Sequence, residues 1–279
     1  MTTPRPYLDG AAPLAFAHRG GAKVWPENTL RAFAESVALG YRHIETDIHL
    51  SRDGVPVILH DATIDRTTDG AGPVAGYTVA ELRRFDAGYR FTRDGVTFPF
   101  RGQGLTIPTL EEALALDPGL RLNLEMKPTT EEMADSTWSF VQGRKDRERL
   151  LIASAHAPTI AAFRRRARGA VATSAGAGEI LRFWMAARVG LHRRLSIDYD
   201  ALQVPPRHGP LTVVNERFVR CAHERGLHVH VWTIDEPAEM RRLLALGVDG
   251  LMSDFPARLL QTLGRDVPEP RAAPPERGS

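Results

Sequence analysis

The sequence predicts an α/β protein, a (β/α)8 TIM barrel with a hairpin and a long loop segment inserted after the second strand. Three observations predict it. Short apolar runs alternate with helical patterns along the chain, as parallel βα units require. Nine strands are countable, but one of them, residues 55–59, follows its predecessor across the tight turn Arg52-Asp53-Gly54. Such a turn joins only antiparallel strands, so removing that run leaves the eight a barrel needs. A length of 279 residues, 43% of them apolar, also suits a fold that runs to about 250 residues as one domain.

Taken in order, residues 1–12 read as a loose lead-in, 13–264 as the barrel with its inserted segment at about 50–107, and 265–279 as a disordered tail rich in Pro, Arg and Glu. The first strand is 14–18. A helix follows over 29–39, with Leu30, Phe33 and Val37 at helical spacing and Gly40 as its stop. The second strand, 42–48, puts Ile44 and Ile48 on one face and Glu45 and Asp47 on the other. Residues 62–107 carry seven glycines and several aromatics. A loop of that length is usually functional, and at the carboxyl end of a barrel strand it is expected to cover the mouth. Thr109-Leu110-Glu111-Glu112 opens the next helix as a capping box. The remaining strands are 120–126, 150–154, 170–173, 201–204, 228–233 and 250–252. One helix runs from Asn215 to Gly226, and another has Asp235 as N-cap, Pro237 in its first turn and Gly247 as its stop.

Composition excludes several roles. With 36 Lys+Arg against 34 Asp+Glu, bulk charge gives no reason to expect nucleic acid as a partner. Arg164-Arg165-Arg166 is read as a solvated helix face, and the single cysteine, Cys221, as a small core residue. The start of the chain lacks the apolar segment of a secretory leader, and no run reaches the ~18 apolar residues of a membrane span. A soluble cytoplasmic protein is the expectation.

Chemistry concentrates at the strand ends. Glu45 and Asp47, two apart on one strand, point the same way, and the hairpin delivers His60-Asp61 beside them. Acids are depleted in strands unless something needs them. The group therefore reads as a divalent-metal site with an acid–base group at its rim, against the plainer alternative of an edge hairpin with solvated charge. His18-Arg19-Gly20-Gly21 ends the first strand. On the third, Asn123, Glu125 and Lys127 share a face, which brings Glu125 and Lys127 to the carboxyl-terminal mouth where barrel enzymes keep their chemistry.

The ordered set His18-Arg19-Gly20, Pro26-Glu27-Asn28-Thr29, Glu45-x-Asp47, Asp53-Gly54 with His60-Asp61, Glu125-x-Lys127, Trp232-Thr233 and the late run GVDGLMSDFPARL resembles the glycerophosphodiester phosphodiesterase family. The resemblance covers roughly residues 14–260. It implies cleavage of glycerophosphodiesters to glycerol 3-phosphate and an alcohol, with a divalent cation and two histidines. Carried over residue by residue, it makes Glu45, Asp47 and Glu125 the metal ligands and His18 and His60 the acid–base pair. An all-oxygen set suits Mg2+ or Ca2+ better than Zn2+. Arg19 and Lys127 become phosphate clamps, with Gly20 and Gly21 allowing close backbone approach. Glu27 and Asn28 either organise their loop and cap the following helix or touch substrate. Trp232 either packs against the glycerol or alcohol part or is core. The attacker is water or the glycerol's neighbouring hydroxyl, and the sequence leaves both open. One departure concerns the pocket wall: Ala155-His156 follow Ser154 where the family has an aromatic, and His156 is read as a substrate-side or surface residue.

Three other readings are weighed. His228-Val229-His230 is an HxH pair of the kind metal-dependent amide and lactone hydrolases use on barrels, but they resemble one another in placing it on the first strand and here it lies on the seventh. A barrel that binds phosphate ligands without catalysis is a second reading, disfavoured by the full set of acids, histidines and cations. Lysophospholipase D-type hydrolysis on the same site is the third. For it, residues 181–195 (LRFWMAARVGLHRRL) form either a barrel helix with a basic face or an amphipathic flap that touches a membrane surface or an acyl chain. The expected partner is a small-molecule phosphodiester, and oligomeric state is left open.

Overall fold

The alternating direction of side chains along each strand sorts this chain into an inner and an outer layer. In the computed structural model, which describes residues 5–10 and 12–268, the elements run β1 (Leu14–His18), α1 (Leu30–Ala38), β2 (His43–Leu50), β3 (Pro56–Ile58), α2 (Val79–Leu82), α3 (Leu110–Ala115), β4 (Arg121–Met126) and α4 (Glu131–Gln142). They continue with β5 (Leu150–Ala153), α5 (Ala157–Ala167), β6 (Ala172–Thr173), α6 (Ala177–Val189), β7 (Ala201–Val204) and the short pair β8 (Arg207–His208) and β9 (Leu211–Thr212). The last are α7 (Glu216–His223), β10 (His228–Val231), α8 (Pro237–Ala245), β11 (Gly250–Ser253) and α9 (Pro256–Thr262).

Eight strands pair in parallel in the order β6-β5-β4-β2-β1-β11-β10-β7. A parallel bridge from Ser174 to Ala201 joins the two ends of that row, and Asp200 N–H donates to the Thr173 carbonyl at 2.8 Å beside it. The ring is the (β/α)8 barrel. β3 pairs only with β2, antiparallel, with Ile58 opposite Ile48, as its tight turn requires.

The outer layer packs Ile44, Ile48, Leu122, Leu124 and Leu202 of the strands against Phe33, Phe163 and Phe218 of the helices. Inside the ring lie Phe16, Leu151, Ala172, Ala201 and Met252. Phe16 sits between two imidazoles, 5.2 Å from His43 and 4.8 Å from His230, centre to centre. The lead-in is not loose throughout. Tyr7 is 1% exposed, meets His43 edge-on at 5.3 Å and accepts from its Nε2 through the backbone carbonyl. The barrel interior needs an apolar plug at its amino-terminal end, and an aromatic near the chain start supplies it.

Register sets the site. His18 lies level with Glu45 on the neighbouring strand, and Asp47 with Glu125 on the next. Two successive inward-facing levels at the carboxyl end of the barrel therefore carry these groups.

Several local expectations change. α8 starts from Glu236 without a side-chain cap. Asp235 turns inward instead, accepting from the Ser253 hydroxyl and the Asp254 N–H, both at 2.9 Å. Arg164 is no solvated residue: its side chain is 8% exposed and binds Glu179, Asp198 and the Ser174 carbonyl. Arg165 faces outward and Arg166 is half-buried, each pairing with an acid of α4 (Glu131 and Asp135). The inserted segment has its own small core of Ile64, Val74, Leu82 and Ala87 on the underside of Val57 and Leu59. Of the expected tail, 269–279 lies outside the described residues, while Arg265 donates to the Pro13 carbonyl at 2.6 Å.

Candidate active site

At the carboxyl-terminal mouth one cavity of about 630 Å³ is lined by His18, Arg19, Glu45, Asp47, His60, Glu125, Lys127 and Trp232, eight of the ten residues the sequence singled out. The three carboxylates each offer an oxygen, and all three oxygens lie within 4.8 Å of one another. That spacing is what a single hard cation needs, since Mg2+–O and Ca2+–O distances are about 2.0–2.6 Å.

The electrostatics fit such an ion. Glu45 is 6% exposed, and its Oε2 has no hydrogen-bond partner. Burial, with Asp47 beside it, pushes its carboxyl up to about 8. A buried acid with a bare oxygen is costly unless paired, and a divalent cation relieves both the burial and the repulsion. Asp47, 1% exposed, is surrounded by donors: Lys127 Nζ at 3.0 Å, Arg19 Nε at 3.3 Å and Asn28 Nδ2 at 3.0 Å. Lys127 also reaches Glu125 at 2.9 Å. Burial works against its charge, but Asp47 and Glu125 outweigh that and hold its proton more tightly than usual.

Each candidate histidine has its own carboxylate. His18 Nδ1 lies 2.6 Å from Asp254 Oδ1, leaving Nε2 on the cavity side, 3.6 Å from Glu45. Burial lowers its proton affinity, but Glu45 and Asp254 together raise it above the ordinary value. His60 Nδ1 lies 2.6 Å from Asp61 Oδ1. Asp61 is itself held down to about 2, first by its hydrogen bond from Arg66. In both pairs the carboxylate fixes the Nδ1–H tautomer and frees Nε2 for proton exchange.

Glu27 and Asn28 do not line the cavity. Glu27 is clamped by Arg19 at 3.0 Å and twice by Arg66 at 2.8 Å, so it braces Arg19. Asn28, at φ 58°, accepts from the Thr46 hydroxyl while donating to Asp47, which orients that acid. The cap of α1 is Thr29, whose side chain accepts from Ala32 N–H, not Asn28. Trp232 is 42% exposed and stands in the cavity wall, so it is not core. No residue of 62–107 lines the cavity. The insertion flanks the mouth without covering it, and through Arg66 it ties the loop of Glu27 to the loop of His60 and Asp61. His156 donates or accepts only within its own turn, to Thr159 at 2.9 Å. His228 and His230 lie deeper in the ring; His230 is fully buried, burial takes its proton affinity well below the ordinary value, and neither joins the cavity. Sequence reasoning missed Asp254, although it stands in the late run SDFP, and Asn123, whose buried Oδ1 has no partner and which lines the cavity beside Glu45.

A parallel barrel whose carboxyl-terminal mouth gathers three acids, two carboxylate-held imidazoles and two cations defines a hydrolytic enzyme of the (β/α)8 class. The profile of the glycerophosphoryl diester phosphodiesterase family matches residues 18–258, and the chain belongs to that family. It is 34% identical over 266 residues to a Mycobacterium tuberculosis protein named "Probable glycerophosphodiester phosphodiesterase 2", covering 88% of this chain and 92% of that one. To the glycerophosphodiester phosphodiesterase of Caldanaerobacter subterraneus subsp. tengcongensis it is 30% identical over 254 residues, 88% and 96% of the two chains. Among solved structures, an Oleispira antarctica phosphodiesterase in complex with the product sn-glycerol-3-phosphate superposes at TM-score 0.72 and 27% identity, over 91% of this chain and 97% of that one.

Proposed function

We propose that this chain hydrolyses glycerophosphodiesters to sn-glycerol 3-phosphate and an alcohol with a divalent cation, Mg2+ or Ca2+, held by Glu45, Asp47 and Glu125. The observation that carries the reading is the carboxylate trio with its bare, buried Glu45 oxygen, flanked in one cavity by two imidazoles on their own carboxylates. Family membership and the product held by the Oleispira relative support the substrate class.

When bound, the cation supplies charge stabilisation to a phosphate oxygen. Arg19 and Lys127 stand where they stabilise the remaining negative charge as it develops on the phosphoryl group. One of His18 and His60 takes the proton from the attacking oxygen through Nε2, and the other returns a proton to the leaving alkoxide through its own Nε2. Asp254 and Asp61 keep both rings oriented and stabilise the imidazolium in each half of the exchange. Trp232 offers an apolar plane to the carbon part of the substrate.

Turnover of glycerophosphocholine, read as choline release, tests this. Activity should require added Mg2+ or Ca2+ and vanish with EDTA. His60→Ala should lower the rate by about 10²–10⁴-fold while divalent-ion binding stays intact. Retained turnover in His60→Ala, or turnover indifferent to EDTA, overturns the reading.

A further inference from the structure

Among the described residues seven large apolar side chains are exposed, and six of them gather on one side of the barrel: Leu181, Met185, Val189, Leu191, Leu211 and Trp232. Three of these, Leu181, Met185 and Val189, recur every fourth position of α6 and so form one stripe, roughly 12 Å long at 1.5 Å per residue. The fold does not need this stripe. α6 already buries Phe183, Ala186 and Ala187 against the barrel, so the helix carries a second apolar face turned outward. Trp184 Nε1 donates to the Thr212 carbonyl at 3.3 Å, which ties the helix to the β8–β9 pair and keeps Leu211 on the same side. The stripe is also continuous with the catalytic cavity, because Leu181, Leu211 and Trp232 line it.

Charge beside the stripe is predominantly basic. Between residues 177 and 212 the arginines are Arg182, Arg188, Arg193, Arg194 and Arg207, and the acids are Glu179, Asp198 and Asp200. All three acids are committed to arginines elsewhere, Glu179 and Asp198 to Arg164 and Asp200 to Arg5. All five arginines are exposed; among the described residues Arg193 pairs with Glu224 at 3.0 Å, and Arg207 lies near enough to Glu239 to lower its proton affinity. Arg188 lies over the Trp184 ring at 4.6 Å. An outward apolar stripe with aromatic and leucine side chains, edged by arginine, is the composition that settles on an anionic lipid–water interface. A second copy of the chain fits less well, because a self-complementary contact would set these arginines against one another.

We propose that the α6 and β8–β9 face docks on an anionic lipid surface, and that the cavity opening into it takes a glycerophosphodiester carrying one acyl chain. The phosphate reaches the acids and histidines while the chain lies along Leu181, Trp184 and Leu211. This rests on the phosphodiesterase reading of the site, and adds to it where the substrate comes from and what its apolar part touches.

Co-sedimentation of the full chain with vesicles tests the docking. Vesicles of phosphatidylcholine with phosphatidylglycerol are compared with phosphatidylcholine alone, using wild type and the double variant Met185→Asp, Val189→Asp. The wild type should pellet with the anionic vesicles and be released by high salt. The double variant should lose at least about tenfold in vesicle affinity and in hydrolysis of monoacyl glycerophosphocholine presented in those vesicles, with glycerophosphocholine turnover unchanged. No pelleting with anionic vesicles overturns the proposal, as does equal pelleting of the double variant or a wild-type dimer that the double variant dissolves. If wild type fails to turn over glycerophosphocholine at all, the reading of the site itself has failed, whatever the vesicles show.

Discussion

Asp254 lies 236 positions from His18, yet their side chains meet at 2.6 Å, and removing its carboxylate tests the acid–base machinery without touching the acids or the cation site. Both side chains are largely buried, at 14% and 13% exposure, so solvent does little to screen the contact. A hydrogen bond to a charged group is worth about 1.5–3 kcal/mol, and each 1.36 kcal/mol is tenfold in rate. Asp254→Ala should therefore lower kcat by about 10- to 150-fold. The fold should survive, because the backbone N–H of residue 254 keeps its bond to Asp235. As a positioning residue, Asp254 also leaves a signature in the pH profile. Burial lowers the proton affinity of His18, and Glu45 and Asp254 raise it, so losing Asp254 should move the His18 limb of the kcat profile to lower pH. Asp254→Asn keeps an acceptor for Nδ1–H without the charge and should fall between wild type and Ala. Steady-state turnover of glycerophosphocholine across pH, with calorimetric Mg2+ binding as a control, reads all of this. A kcat within about twofold of wild type and an unmoved limb would refute the reasoning.

Two further outcomes follow from buried polar groups. Asn28→Leu removes the donor at 3.0 Å from Asp47 and strands the Thr46 hydroxyl, so it should cost about 1–3 kcal/mol of stability and weaken divalent binding, checked by urea unfolding and calorimetry. His43 is lowered to about 4 by burial, despite its hydrogen bond to the Tyr7 carbonyl, whereas the unfolded chain titrates near 6.5. A depressed histidine contributes stability above the unfolded pKa and loses it as pH falls toward the folded one. That difference amounts to about 3 kcal/mol lost between roughly pH 6.5 and 4, which His43→Gln should remove from the pH slope of urea midpoints. Parallel slopes for the two proteins would count against it.

Much of this was legible because period-two alternation and strand-end motifs are local. The tight turn at Arg52-Asp53-Gly54 excluded β3 from the ring, and Glu45, Asp47, Glu125 and Lys127 reached one mouth because strand register follows from the alternation. What escaped was set by distant partners or by packing. Asp254 acquires its role only when β11 closes beside β1. Asp235 leaves its helix because Ser253 and Asp254 offer donors, and Arg164 is drawn inward by two acids 15 and 34 residues on. The insertion looked like a cover from its length, but its apolar side chains found Val57 and Leu59 and folded down beside the mouth. The stripe on α6 was visible as composition, yet which of its apolar residues faced water depended on the barrel beneath.

The central claim is that Glu45, Asp47 and Glu125 hold one hard cation. Calorimetric titration of the folded chain with Mg2+ and Ca2+ tests it most directly. A single site should appear. Because burial and Asp47 keep Glu45 protonated up to about 8, binding at neutral pH should release a proton, seen as buffer-dependent heat, and affinity should climb as pH approaches that value. Glu45→Gln should abolish the site. Absence of binding in wild type, or undiminished binding in Glu45→Gln, would contradict the account.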